Sequence, residues 1–292
     1  AEAVAGPQRG YRLACRLADQ MRPLGRTAEI RATWAVAHTL FWRGRLAEAQ
    51  ALLSAIRLEV ICPESDAAFK HVDLELLIKA QLGCTLALQG DEQAARAQFE
   101  IVRAWTTPMS APMNRAFACH ALGMVNCYYD TPLPVLDWSR QARSAAAECG
   151  QTALACSASL LEYWALSHLG LAADEADAQG ALSILRRLGP ALEARAFSLY
   201  AQAMFHQMPA LALTQLDAAL DLNASCGLHH WEARLLRMKS HSLDAAGQLG
   251  EATRFYKLAQ ETAYRQGARL FLDDDTGIES RTHASLYLET AS

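Results

Sequence analysis

Gly90-Asp91-Glu92-Gln93-Ala94-Ala95-Arg96-Ala97-Gln98-Phe99-Glu100-Ile101-Val102 is the stretch on which the fold turns. Its glycine is followed five residues later by Ala95, four later by the bulky Phe99 and three later by Val102. The same order returns in Gly44, Ala49, Leu53, Ile56 and in Gly247, Ala252, Tyr256, Ala259. Steps of three and four residues put the apolar members on one helix face, with the glycine in the turn that precedes it. Recurrence of this unit predicts a helical repeat array, in which no unit buries its apolar face alone and each stacks on its neighbours. Such a scaffold points to binding rather than to chemistry.

Weaker copies fill the interval. One is Gln207, Ala212, Leu216, Ala219, a second is Asp130, Val135, Ser139, Ala142, and a third keeps Ala181, Leu185 and Leu188 with Gly170 displaced upstream. Successive copies lie 46, 40, 46, 31 and 40 residues apart, measured at positions 49, 95, 135, 181, 212 and 252. A strict tetratricopeptide array keeps a period of about 34 residues. The expectation is therefore an all-α, right-handed superhelix of five to six degenerate tetratricopeptide-like hairpins, forming one domain over residues 1–292. Asp174 to Gly180 is read as an inserted turn, and Thr276-Gly277-Ile278-Glu279 has capping-box spacing that would start a last, non-repeat helix.

Composition agrees with a packed helical protein: 52% of the 292 residues are hydrophobic, 20% are charged, and there are 9 prolines and 16 glycines. A net charge of -4 without a dense Lys/Arg run argues against direct nucleic-acid contact. No apolar run of about 18 residues suggests a membrane span, and Ala1 to Gly10 does not read as a signal peptide, so a soluble cytoplasmic protein is expected. The eight cysteines contain no C-x-x-C pair and are expected to be reduced and buried. Helix breaks are read at Cys62 to Asp66, Thr106 to Ser110, Thr131 to Pro134 and Met208-Pro209.

Motifs for chemistry are missing from the chain. Neither G-x-x-x-x-G-K-[ST] nor G-x-G-x-x-G occurs, nor do G-x-S-x-G and H-E-x-x-H. Asp273-Asp274-Asp275 fails as a calcium loop, because Ile278 stands at the required glycine and Ala284 at the required glutamate. His229-His230-Trp231-Glu232 is a poor metal site, since adjacent helical residues point about 100° apart. Glu48, Glu92, Glu232 and Glu251 read as solvated-face charges. No catalytic residue, cofactor or metal is expected.

The first helix of each hairpin in such an array lines the inner wall, where binding usually occurs. With the recurrent glycine as position 15 of a unit, the tetratricopeptide register places Arg31, Trp34, His38, Phe41 and Trp42 inward in the first clear unit. It places Leu77, Ala80, Cys84, Ala87 and Leu88 in the second, Phe117, His120, Met124 and Tyr128 in the third, and Trp164 and His168 in the fourth. Arg234, Arg237, His241 and Asp244 face inward in the last. The candidate binding residues are thus Arg31, Trp34, His38, Trp42, His120, Tyr128, Trp164, His168, Arg234, Arg237 and His241. Rings supply contact area and Arg supplies forked donors for a polar or anionic ligand. Packing against neighbouring units is the competing role for each of them.

Gly227 to Leu243, followed by Gly247 to Ala263 and Arg265-Gln266-Gly267-Ala268, resembles the closing repeats of large bacterial signalling ATPases, the MalT-like and LuxR-type activators among them. Arg234 and Ser240 depart from that pattern, as does the segment after Ala268. The resemblance implies a superhelix that senses an inducer or partner beside a P-loop switch. A small-molecule inducer, or a protein or peptide gripped in the groove, is the expected partner, with self-association as a further possibility; the rival reading is an enzyme of unrecognised type.

Overall fold

The computed structural model describes residues 2–57 and 72–272. Among these it contains thirteen α-helices and no strand. They are α1 (Glu2–Met21), α2 (Arg26–Trp42), α3 (Leu46–Ser54), α4 (Leu74–Leu88), α5 (Glu92–Arg103), α6 (Pro112–Tyr128), α7 (Pro132–Glu148), α8 (Thr152–His168), α9 (Glu175–Leu188), α10 (Pro190–Gln207), α11 (Leu213–Cys226), α12 (Glu232–Ala245) and α13 (Leu249–Gln266). From α2 onward they pack as six consecutive pairs, and the first helix of each pair also touches the first helix of the next. Helix α1 stands outside this alternation and packs on both α2 and α10.

The turn inside each pair explains the recurrent glycine. In the turn after α2, Gly44 N–H donates to the Phe41 carbonyl and Arg45 N–H to the Leu40 carbonyl, a helix stop that needs a left-handed residue. The same two bonds recur at Gly90, Asp130, Gly170 and Gly247, with φ of 79°, 55°, 66° and 75°. Four of these five positions are glycine, which adopts that conformation without a Cβ clash, and one is aspartate. The fifth pair, α10 and α11, replaces the turn with a short 3-10 segment at Pro209–Leu211.

The helix faces follow the sequence spacing. Ala49, Leu53, Ala95, Phe99, Val102, Ala212, Leu216 and Ala219 are all buried, as are Val135, Ser139 and Ala142. Leu188 and Tyr256 occupy template positions yet are 43% and 37% exposed. Asp174 to Gly180 is not an inserted turn: Asp174 caps α9 by accepting from Asp177 N–H, so the segment is the first turns of that helix. Helix α11 begins at Leu213, later than Met208-Pro209 suggests. The seven described cysteines are free, and burial pushes the thiols of Cys84, Cys119 and Cys127 up to about 12. Cys62, the break at Cys62 to Asp66, the acidic run at 273–275 and the helix expected from Thr276 lie outside the described residues. No described helix is long and apolar enough to cross a membrane.

Candidate functional site

The first and last pairs meet. Trp42 ends α2, and its carbonyl accepts the backbone N–H groups of His229 (2.8 Å) and His230 (3.4 Å) at the entry to α12. Gln266 closes the joint by donating to the His229 carbonyl at 2.7 Å, while its side chain lies against Gly44. A Cβ at Gly44 would stand 3.1 Å from Gln266 Nε2, so the glycine also admits this close approach. The helix array therefore has a seam, where α12 lies against elements distant in sequence.

Aromatic rings fill the seam. Trp34 stacks on His38 (4.9 Å between centroids), Trp42 Nε1 donates to His38 Nε2 at 3.0 Å, and His38 Nδ1, which then carries the hydrogen, donates to Gln81 Oε1 at 2.7 Å. His230 sits edge-on to Trp42 at 4.2 Å, and the Arg195 guanidinium from α10 lies 3.6 Å over the Trp42 ring. His230 is 1% exposed, neither of its ring nitrogens has a hydrogen-bond partner, and burial holds its pKa well below the usual histidine range. Arg195, His229 and His38 push it in the same direction. It is a neutral ring used for packing.

Arg234 crosses from α12 to the end of α6. Its Nη1 donates to the carbonyls of Cys127 (2.9 Å) and Tyr128 (3.2 Å), and its Nη2 donates to Asp130 Oδ1. A guanidinium on the last carbonyls of a helix meets the negative end of the helix dipole. The Trp164 and Trp231 rings flank it at 5.8 Å and 5.5 Å, and Tyr128 packs on Trp231 at 4.9 Å.

Beside this arginine lies a compact group that sequence reasoning misses. Asp130, His168 and His206 each offer one donor atom, and these atoms all fall within 4.8 Å of one another. The two imidazoles stack at 3.9 Å, with Trp164 edge-on to both. His168 Nδ1 and His206 Nε2 are buried without a hydrogen-bond partner. Burial pushes His206 down to about 3, helped by His168 and Arg234. Burial also lowers His168, against the pull of Asp130 and with the push of Arg234.

Of the eleven candidate binding residues, the structure gathers most. Trp34, His38 and Trp42 form one line, Tyr128, Trp164, His168 and Arg234 form the second cluster, and Trp42 reaches α12 through His230. His120 stands apart, bonded to Ser157 Oγ at 2.8 Å, with burial lowering its pKa to about 4. Arg237 reaches the Phe271 carbonyl at 3.5 Å, and the exposed His241 tilts toward Phe205 at 6.3 Å. Arg31 is half-buried on α2. His229 and Glu232 pair with each other at 3.0 Å, while His230 turns into the core, so the His229 to Glu232 run does not converge on one point.

Asp130, Arg195, His206, His230 and Trp231 are absent from the predicted set. Asp130 occupies a glycine position, and His206 precedes a turn that breaks the template. One periodic signal was present in the chain: 38 residues separate Asp130 from His168, and 38 separate His168 from His206. No family model matches the chain, and no curated protein matches it.

Proposed function

We propose that this chain is a non-catalytic sensor or protein-interaction module, a right-handed superhelix of tetratricopeptide-like hairpins that serves as the effector-responsive part of a bacterial signalling ATPase or transcriptional regulator. The observation that carries this reading is the seam. The first pair meets the entry to α12 through Trp42, His229 and His230, and Arg234 ties α12 to the end of α6; in this reading the joint has two arrangements, joined and parted. An effector that binds one arrangement better shifts the population toward it, by tenfold for each 1.4 kcal/mol of differential affinity.

The chemistry of the seam sets the class of effector. Rings from α2, α6, α8 and the segment entering α12, with arginines from α10 and α12, suit a small anionic or aromatic molecule rather than an extended peptide. Peptide capture fits less well, because Tyr128 and Trp164 on the inward register already pack against Trp231 and Arg234. Acid–base catalysis fits poorly too. A general base works best with a pKa near the working pH, and His206 lies near 3 while Asp130 is engaged by Arg234.

Thermal-shift measurements on the full chain against aromatic acids, sugar phosphates and nucleotides test the proposal. One class is expected to raise the melting temperature, since a ligand of the native state stabilises it by mass action, and Trp42→Ala should abolish the shift. Absence of any shift, together with no partner captured by the full chain, would sink it.

A further inference from the structure

We propose that Asp130, His168 and His206 form a binding site for a divalent transition-metal ion of the zinc class. The proposal does not depend on the sensor reading, because it rests on donor atoms at the ends of α6, α8 and α10. These helices are neighbours in the array, and the 38-residue spacing puts one donor at the same level of each. Two imidazole nitrogens and a carboxylate oxygen within 4.8 Å of one another are a donor set that zinc, cobalt and nickel prefer over magnesium or calcium.

Two independent features are left unexplained by packing alone. His168 Nδ1 and His206 Nε2 are buried without hydrogen-bond partners, an unfavourable state for a polar atom that a metal bond would relieve. Asp130 holds φ 55° in a turn where the matching positions are Gly44, Gly90, Gly170 and Gly247. A side chain there carries backbone strain, and strain of this kind tends to persist where the side chain has a task. The ion pair with Arg234 engages one carboxylate oxygen and orients the group, as partners behind a metal ligand do, while the second oxygen remains.

Access is open on one side, since the Asp130 side chain is 49% exposed. Metal–nitrogen bonds of about 2.0–2.1 Å place tetrahedral donors about 3.3 Å apart, so the stacked rings must splay slightly and the three groups draw together. Three protein donors leave a fourth position for water or for an oxygen of a small ligand. The positive charge of Arg234 weakens the site, so a dissociation constant on the order of a micromolar is expected.

Titration calorimetry of the full, reduced chain with zinc chloride, and absorption spectroscopy with cobalt(II), test the site. One zinc ion per chain is expected, with cobalt bands that lack thiolate charge transfer. His168→Gln with His206→Gln should weaken zinc binding at least about 100-fold, and Asp130→Asn about 10-fold. Asp130→Gly restores the residue of the other four turns but removes the Arg234 ion pair, so its unfolding midpoint is measured alongside, and at temperatures where it is folded it should still lose affinity. The proposal is overturned if no stoichiometric binding occurs below about 100 µM. It is equally overturned if these variants keep the parent affinity, or if cobalt reports cysteine ligation.

Discussion

The contact of α6, α7 and α8 and the seam at α12 are built on opposite principles. In the first, Ala116, Ala145 and Ala146 form one fully buried group and Cys119, Ala142 and Ala158 another, so the helices meet through side chains too small to need orientation. Buried polar groups there are paired: Arg140 and Arg143 bracket Glu162 at 2.9 Å and 3.1 Å, and Ser139 donates to the Leu136 carbonyl. In the seam, wide rings, an arginine and neutral histidines are buried together, and several of their nitrogens lack partners. Small apolar contacts are insensitive to exact angles, whereas rings and guanidinium groups gain only in one geometry. The first region is a frame and the second is where this chain has traded stability for specific geometry.

Four measurements would break or sharpen that contrast. Leu161 is fully buried on α8, and Leu161→Ala should cost about 2–5 kcal/mol of global stability by urea unfolding. Arg234→Met should cost less, about 1.5–3 kcal/mol, the range for charged hydrogen bonds. Its effect should also be local: amide exchange should quicken at the end of α6 and start of α12 while α7 stays protected. Equal acceleration in both regions would mean that the seam is not a separate unit.

Glycine substitution probes the frame. A Cβ on Gly83 of α4 would meet the buried Phe99 ring at 2.6 Å, so Gly83→Ala should destabilise by about 1–3 kcal/mol despite the better helix propensity of alanine. The matching control is Gly180 on α9, where nothing lies within 4 Å; Gly180→Ala should stabilise by about 0.5–1 kcal/mol. If both changes stabilise, the α4–α5 contact is looser than the alanine interfaces.

Acid sensitivity belongs to the buried histidines. His230, His206 and His120 have folded pKa values below the ordinary 6.5, so the unfolded chain binds more protons as pH falls. Stability from them is present above pH 6.5 and is lost below it, by at most about 1.4 kcal/mol per pH unit for each ring. His230→Phe keeps the ring packing and removes one titrating group. Its urea midpoint should match the parent at pH 7.5 and exceed it at pH 5.5; an unchanged difference between the two pH values would refute a neutral buried His230.

Much of the architecture was legible because it rests on local physics. A glycine that can turn left-handed, an alanine that allows close approach and a bulky residue one helix turn later specify a hairpin wherever they occur, and the burial of Ala49, Ala95 and Phe99 follows. Tyr128, Trp164 and Arg234, three of the residues predicted from the repeat register, come together in the folded chain. Asp174 to Gly180 was misread because a capped helix start and a polar turn share composition, and the difference lies in one side-chain bond from Asp174.

By itself, then, the amino-acid sequence determined the helices, their pairing and the apolar face each buries, since these depend on residues a few positions apart. Only the tertiary structure decided that the two ends of the array meet, that Arg234 finds Asp130 across 104 residues, and that His168 and His206 stack beside them. Those contacts depend on small rotations accumulated over successive pairs, and no local spacing along the chain records that sum.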